Sequence, residues 1–148
     1  MEKLMQFFTQ IAENHILWTA IASWALAQII KILIDLIRFH KLDWQLLFAT
    51  GGMPSSHSSL VTALATSVGL DYGFNSALFA IATVFAFVVM YDAQGIRRQA
   101  GHQAHFINII LENLGVTIDK NLKELLGHTP IQVGGGAILG VIVALILK

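Results

Sequence analysis

The sequence predicts an all-α integral membrane protein, a helical bundle of about four transmembrane helices with short helices in the long connection before the last span. Three observations carry that prediction. Hydrophobic residues make up 55% of the chain and charged residues only 12%, too apolar a balance for a soluble domain of 148 residues. The run from Ile16 to Ile37 is 22 residues long, enough to cross the hydrocarbon core of a bilayer. Three further apolar segments follow, each bounded by glycine, proline or polar turn residues. The length fits a single domain over 1–148. With no cysteine, the chain can form no disulfide, cysteine nucleophile or thiolate metal site, and nine basic residues against nine acidic ones give no pull toward nucleic acid.

The first span reads as a retained helix, because the Met-Glu-Lys start lacks the basic head and cleavage site of a secretory signal. The second, Ser58 to Leu70, is short and carries Ser59, Thr62, Thr66 and Ser67, so it is expected inside the bundle and away from lipid. Asp71-Tyr72-Gly73 joins it tightly to the third, Phe74 to Met90. Between Met90 and Pro130 the pattern predicts an apolar helix from about His102 to Leu114, stopped by Gly115. A short helix capped by Asp119 and ended by Gly127 should follow, the two forming a lid or a re-entrant pair. The last span is Ile131 to Leu147.

Four crossings place the loop before Ser58 and the long connection on one face, with both termini and Asp71 on the other. That face carries Arg38, Lys41, Arg97, Arg98, Lys120 and Lys123 against Lys3 and Lys148 opposite, so the positive-inside rule puts it in the cytoplasm. Removing Arg38, Arg97 and Arg98, which could serve a site, narrows the margin to three against two. The plasma membrane is the expected location. Four helices make a small bundle to enclose a site, which leaves room for a homodimer.

Three clusters on that face carry chemistry. Lys31 and Arg38 are seven residues apart, so they project from nearly one face of the first span, with Asp35 between them. Two cations so placed can clamp a phosphate; alternatively Lys31 and Asp35 neutralise each other and Arg38 snorkels to the interface. Gly51-Gly52-Met53-Pro54-Ser55-Ser56-His57-Ser58 opens the second span. Its hydroxyls and N–H groups suit an anion at a helix N-terminus, and the imidazolium of His57 can protonate a departing alcohol. The same residues also make an ordinary serine cap. The third cluster is Gly127-His128-Thr129-Pro130-Ile131-Gln132-Val133, with Thr129 as N-cap and Pro130 at the first helical position. The glycines after it, Gly134 to Gly136 and Gly140, read as close helix packing.

In this order the clusters Lys31-x6-Arg38, Pro54-Ser55-Ser56-His57 and His128-x3-Gln132-Val133 resemble the three signature motifs of the type 2 phosphatidic acid phosphatase and vanadium haloperoxidase superfamily, in a short, divergent branch. The resemblance spans Lys31 to Gly140. It implies that Lys31, Arg38, Ser55 and Ser56 hold phosphate, that His57 is the general acid, and that His128 becomes a phosphohistidine hydrolysed by water. Four positions depart from the pattern: Phe39 replaces a proline, Ser56 a glycine, Leu122 the third motif's arginine, and Gln132 the aspartate that steadies the nucleophilic histidine. Losing such an aspartate can cost about 10⁴ in rate in a serine protease. Asp92 or Glu124 could take its place and Arg97 or Arg98 could supply the phosphate contact, although the two arginines could equally be interfacial anchors.

His102 and His105 would ligate a metal only if a carboxylate such as Asp92 joined them; solvated or interfacial histidines are the default. The leading expectation is a membrane phosphatase acting on a lipid phosphomonoester or pyrophosphate, with a phospholipid or prenyl phosphate as substrate and no cofactor or metal required. The alternative is a lipid-phosphate binding or transport protein that has lost hydrolysis. A purely structural subunit associating through Gly136 and Gly140 is a third possibility.

Overall fold

A computed structural model of the protein describes residues 1–40, 52–115, 122 and 127–148. Among these residues the regular structure is all helical: α1 (Glu2–Ala12), α2 (His15–Phe39), α3 (Ser56–Tyr72), α4 (Ala77–Gln94), α5 (Ile96–Asn113) and α6 (Pro130–Ile146). The bundle is made by α2, α3, α4 and α6. By length and apolar composition, α2 and the run from α4 through α5 can each cross a bilayer, while α3 and α6, at 17 residues each, lie at the short end of spanning length.

All four bundle helices begin at a side-chain cap. Asn14 Oδ1 accepts the Leu17 N–H at 3.0 Å, Ser55 Oγ accepts the Ser58 N–H at 3.4 Å and Ser76 Oγ accepts the Phe79 N–H at 3.1 Å. At α6, Thr129 and Gln132 form a reciprocal capping box around Pro130. Helix ends near lipid have little water to satisfy their orphan donors, so these caps matter more than in a soluble protein.

Packing is inverted relative to a soluble domain. The buried set is mostly alanine, valine, serine and threonine, such as Ala27, Ser23, Ser58, Ser59, Val61 and Ala63, whereas Leu33, Phe85, Phe87, Val88, Ile138 and Leu145 face outward. Large apolar side chains on the outside and small or polar ones within are what a hydrocarbon solvent selects. As expected for the segment dotted with hydroxyls, α3 is the central helix and packs on α2, α4 and α6. Against α2, the Ser23 and Ser59 hydroxyls lie 2.5 Å apart. Against α6, Thr62 Oγ1 donates to the Ser58 carbonyl at 2.7 Å and lies 3.1 Å from the Ala137 carbonyl. Gly136 and Gly140 close this seam, since a Cβ on either would run into α3: Ser55 and Ser58 at the first, Thr62 and Ser59 at the second.

The two ends of the bundle differ in character. At one, the Ser55 N–H donates to the Gln132 carbonyl at 3.0 Å and the His128 N–H donates to the Ala93 carbonyl at 2.9 Å, drawing together the starts of α3 and α6 and the end of α4. At the other, Asp71 lies 2.5 Å from His15 Nε2 and 3.7 Å from Lys148 Nζ.

Three features depart from the sequence expectations. The third span starts at Ala77 because Ser76 caps it, and it runs a turn beyond Met90. Only Gly95 separates it from α5, which begins at Ile96 and not at His102, so Arg97 and Arg98 belong to the first turn of a helix. Residues 2–12 form α1, an element the count of hydrophobic runs did not anticipate. The short helix expected from Asp119, together with Lys41, Lys120, Lys123 and Glu124, lies outside the described residues.

Candidate active site

The site grows from the start of α3. Ser55 is fully buried and Ser56 nearly so, because Ser55 caps the helix while its backbone is tied to α6 through Gln132. Ahead of them Gly52 adopts a positive φ of 87°. A Cβ there would sit 2.8 Å from Lys31 Cδ, so the absence of a side chain at Gly52 lets the lysine stem lie against the loop. Lys31 is only 3% exposed, and both Asp35 and His128 interact with it electrostatically. A lysine buried in a membrane bundle is costly unless an anion or a polar cluster compensates it.

His57, on the first turn of α3, and His128, held by the Ala93 carbonyl ahead of α6, meet with ring centroids 5.8 Å apart and planes inclined at 62°. His128 is 3% exposed, and neither ring nitrogen makes a hydrogen bond among the described residues. Burial first, and then the neighbouring His57, hold this imidazole below the ordinary histidine value. The Gln132 side chain and the Gly52 carbonyl pull the other way without reversing it, and Lys31 adds to the lowering. His128 is therefore poised to be neutral near pH 7, as a nucleophile or base must be.

The structure thus brings Lys31, Ser55, Ser56, His57 and His128 to one place. Arg38 is exposed in the last turn of α2. Asp92 is half-buried in the last turn of α4, next to the residue whose carbonyl holds His128. Arg97 and Arg98 start α5, with their side chains outside the description. Leu122 is exposed; its backbone N–H donates to Asn108 Oδ1 at 3.0 Å and its carbonyl accepts from Asn108 Nδ2 at 2.9 Å. His102 and His105 are exposed on α5. A recess of about 390 Å³ opens at the α4–α5 junction, lined by Tyr91, Gln94, Gly95, Gln99 and His102.

A family model of the divergent PAP2 family matches residues 12–143. The chain belongs to this divergent PAP2 family. It is also 42% identical over 152 residues to the uncharacterized membrane protein YuiD of Bacillus subtilis (strain 168), an alignment covering 93% of this chain and 96% of that protein. No solved structure matches the chain.

For a divergent PAP2 protein, the most telling departure is Gln132. Its Oε1 accepts the Thr129 N–H at 2.9 Å, so the residue caps α6, anchors α3 through its own carbonyl and opposes the lowering of the His128 value without reversing it. Sequence reasoning weighed it only as a missing carboxylate. Gly52 and Ser58 were also passed over as site residues. Gly52 could have been found from its place beside the serine motif. Ser58 is fully buried, with an Oγ lacking a partner among the described residues, and it carries no signal that separates it from the packing serines of α3.

Proposed function

We propose that this protein is a membrane phosphatase acting on a lipid phosphomonoester or pyrophosphate. The observation that carries the reading is the pairing of half-buried His57 with buried His128, beside buried Lys31, at the N-terminus of α3. A buried polar group without a hydrogen bond costs about 1–3 kcal/mol, and neither ring nitrogen of His128 makes one among the described residues; a bound phosphate ester would make use of that imidazole.

In this mechanism Lys31, Ser55 and Ser56 hold the phosphoryl oxygens, and Arg38, Arg97 and Arg98 add charge from the rim. A neutral nitrogen of His128 attacks phosphorus as the bond to the lipid oxygen breaks, and protonated His57 gives that oxygen its proton. Water then attacks the phosphohistidine, passing a proton to His57 and releasing inorganic phosphate. Asp92 is proposed to steady His128 from the end of α4. The proposed setting is the plasma membrane with the site on the cytoplasmic side, and a homodimer would enclose it further.

Purified protein in detergent, with EDTA present, should release phosphate from phosphatidic acid or from a prenyl pyrophosphate. His128→Ala retaining full activity would overturn the assignment of the nucleophile. A second reading, a lipid-phosphate binder or transporter without turnover, is favoured by the position of Gln132 at the family's carboxylate place. It predicts that phosphate-containing lipid copurifies with the protein and stays intact at every pH.

A further inference from the structure

The first helix is unexplained by the site at the other end of the bundle. Every residue of α1 is exposed, and none of its side chains is buried against the bundle. Plotted at 100° per residue, Leu4, Met5, Phe8, Ile11 and Ala12 share one continuous face, with Phe7 at its edge, while Glu2, Gln6, Thr9, Gln10 and Glu13 fill the opposite one. The apolar side chains are large and uncovered, with Leu4 61%, Phe8 60% and Met5 67% exposed.

The position of α1 relative to the bilayer follows from its neighbours. His15, Asp71 and Lys148 meet at the start of α2, the end of α3 and just past α6, and a cluster of ionisable groups marks the water boundary of a bundle. α2 alone, at 25 residues, is about 38 Å long at 1.5 Å per residue, more than the roughly 30 Å hydrocarbon core. No part of α1 is needed inside that core. Two residues, Glu13 and Asn14, separate the helices, and Trp18 Nε1 donates to the Ile11 carbonyl at 3.1 Å, fastening the last turn of α1 to the first turn of α2. Trp18, Tyr72 and Phe74 are all exposed at this end, the level at which aromatic residues gather in membrane proteins.

We propose that α1 is an interfacial helix, lying in the membrane–water boundary on the face opposite the candidate site, with Leu4, Phe8 and Ile11 among the acyl chains. The occupant of its apolar face is the lipid surface. The charges of the segment, Glu2, Lys3 and Glu13, give it no basic face, so insertion rests on apolar burial and needs no anionic lipid.

The chain has no cysteine, which makes single-cysteine labelling clean. Leu4→Cys, Gln6→Cys, Phe8→Cys, Gln10→Cys and Ile11→Cys variants of the whole chain, reconstituted at low density in phosphatidylcholine vesicles, would be probed with a water-soluble thiol reagent. A bimane label at the same positions would be tested for quenching by brominated lipid. Positions 4, 8 and 11 should label about tenfold more slowly than 6 and 10, the factor corresponding to burial of one large apolar side chain, and only they should be quenched. Equal labelling at all five would overturn the proposal. Protection without lipid quenching, or protection that disappears as lipid is added in excess, would overturn it in favour of a second copy covering the face. Protection that appears only with anionic lipid would contradict the apolar basis of insertion.

Discussion

At the scale of single residues, the account turns on the environment of His128. Its imidazole is held below the ordinary histidine value chiefly by burial and then by His57, so the neutral form, the one the proposed mechanism needs, persists as pH falls through 6.5 and is lost only below the depressed value. The acid limb of a phosphatase profile should therefore lie below pH 6.5, about the unperturbed histidine value. The same shift carries a sign for stability: the unfolded chain takes up this proton before the folded one, so acidification through that range should weaken the fold. Gln132→Glu would place a carboxylate beside the ring and raise the value, moving the acid limb to higher pH. An unmoved limb, or an unmoved His128 titration by NMR, would show that residue 132 does not act on the ring. The cap at Ser55, with Ser56 and His57 in the first turn of α3, was legible in the sequence because proline, serines and histidine are contiguous there. The roles of Gln132 and Gly52 were not, because a capping glutamine and a glycine under a lysine stem depend on partners 3 and 21 residues away.

Among elements, the seam between α3 and α6 sets the register of the site, since it joins the helix bearing His57 to the one that follows His128. Gly140→Ala would drive a methyl group into Thr62 and the Ser59 carbonyl, neither of which can retreat without parting the helices. The expected loss is about 1–3 kcal/mol, readable as a lower unfolding midpoint in detergent. Gly134→Ala is the matched control. Nothing lies within 4 Å of a Cβ there, so the change should be neutral or stabilise the helix by roughly 0.5–1 kcal/mol. The four bundle helices were readable from hydrophobic runs and their caps, and their glycines from spacing. α1 escaped because a search for long apolar runs passes over a short helix whose apolar residues recur at three and four. The start of α5 was missed because its first turn, with Arg97, Arg98 and Gln99, reads as a polar linker.

For the molecule as a whole, small and hydroxylated residues inside and large apolar ones outside identify lipid as the solvent, as membership of the divergent PAP2 family and the kinship with a membrane protein agree. We propose from the charge distribution that the site face is cytoplasmic. A Gln99→Cys variant should then react with an impermeant reagent only from the cytoplasmic side and Gln10→Cys only from outside, and the reverse pattern would invert the topology. The central claim concerns the His57–His128 pair, and the most direct measurement is rapid quenching of the purified protein during turnover of a radiolabelled lipid phosphate. The account predicts phosphate bound covalently at residue 128, in an acid-labile, alkali-stable linkage that His128→Ala abolishes. Turnover with no trapped phosphoprotein, or a label that persists in His128→Ala, would contradict it.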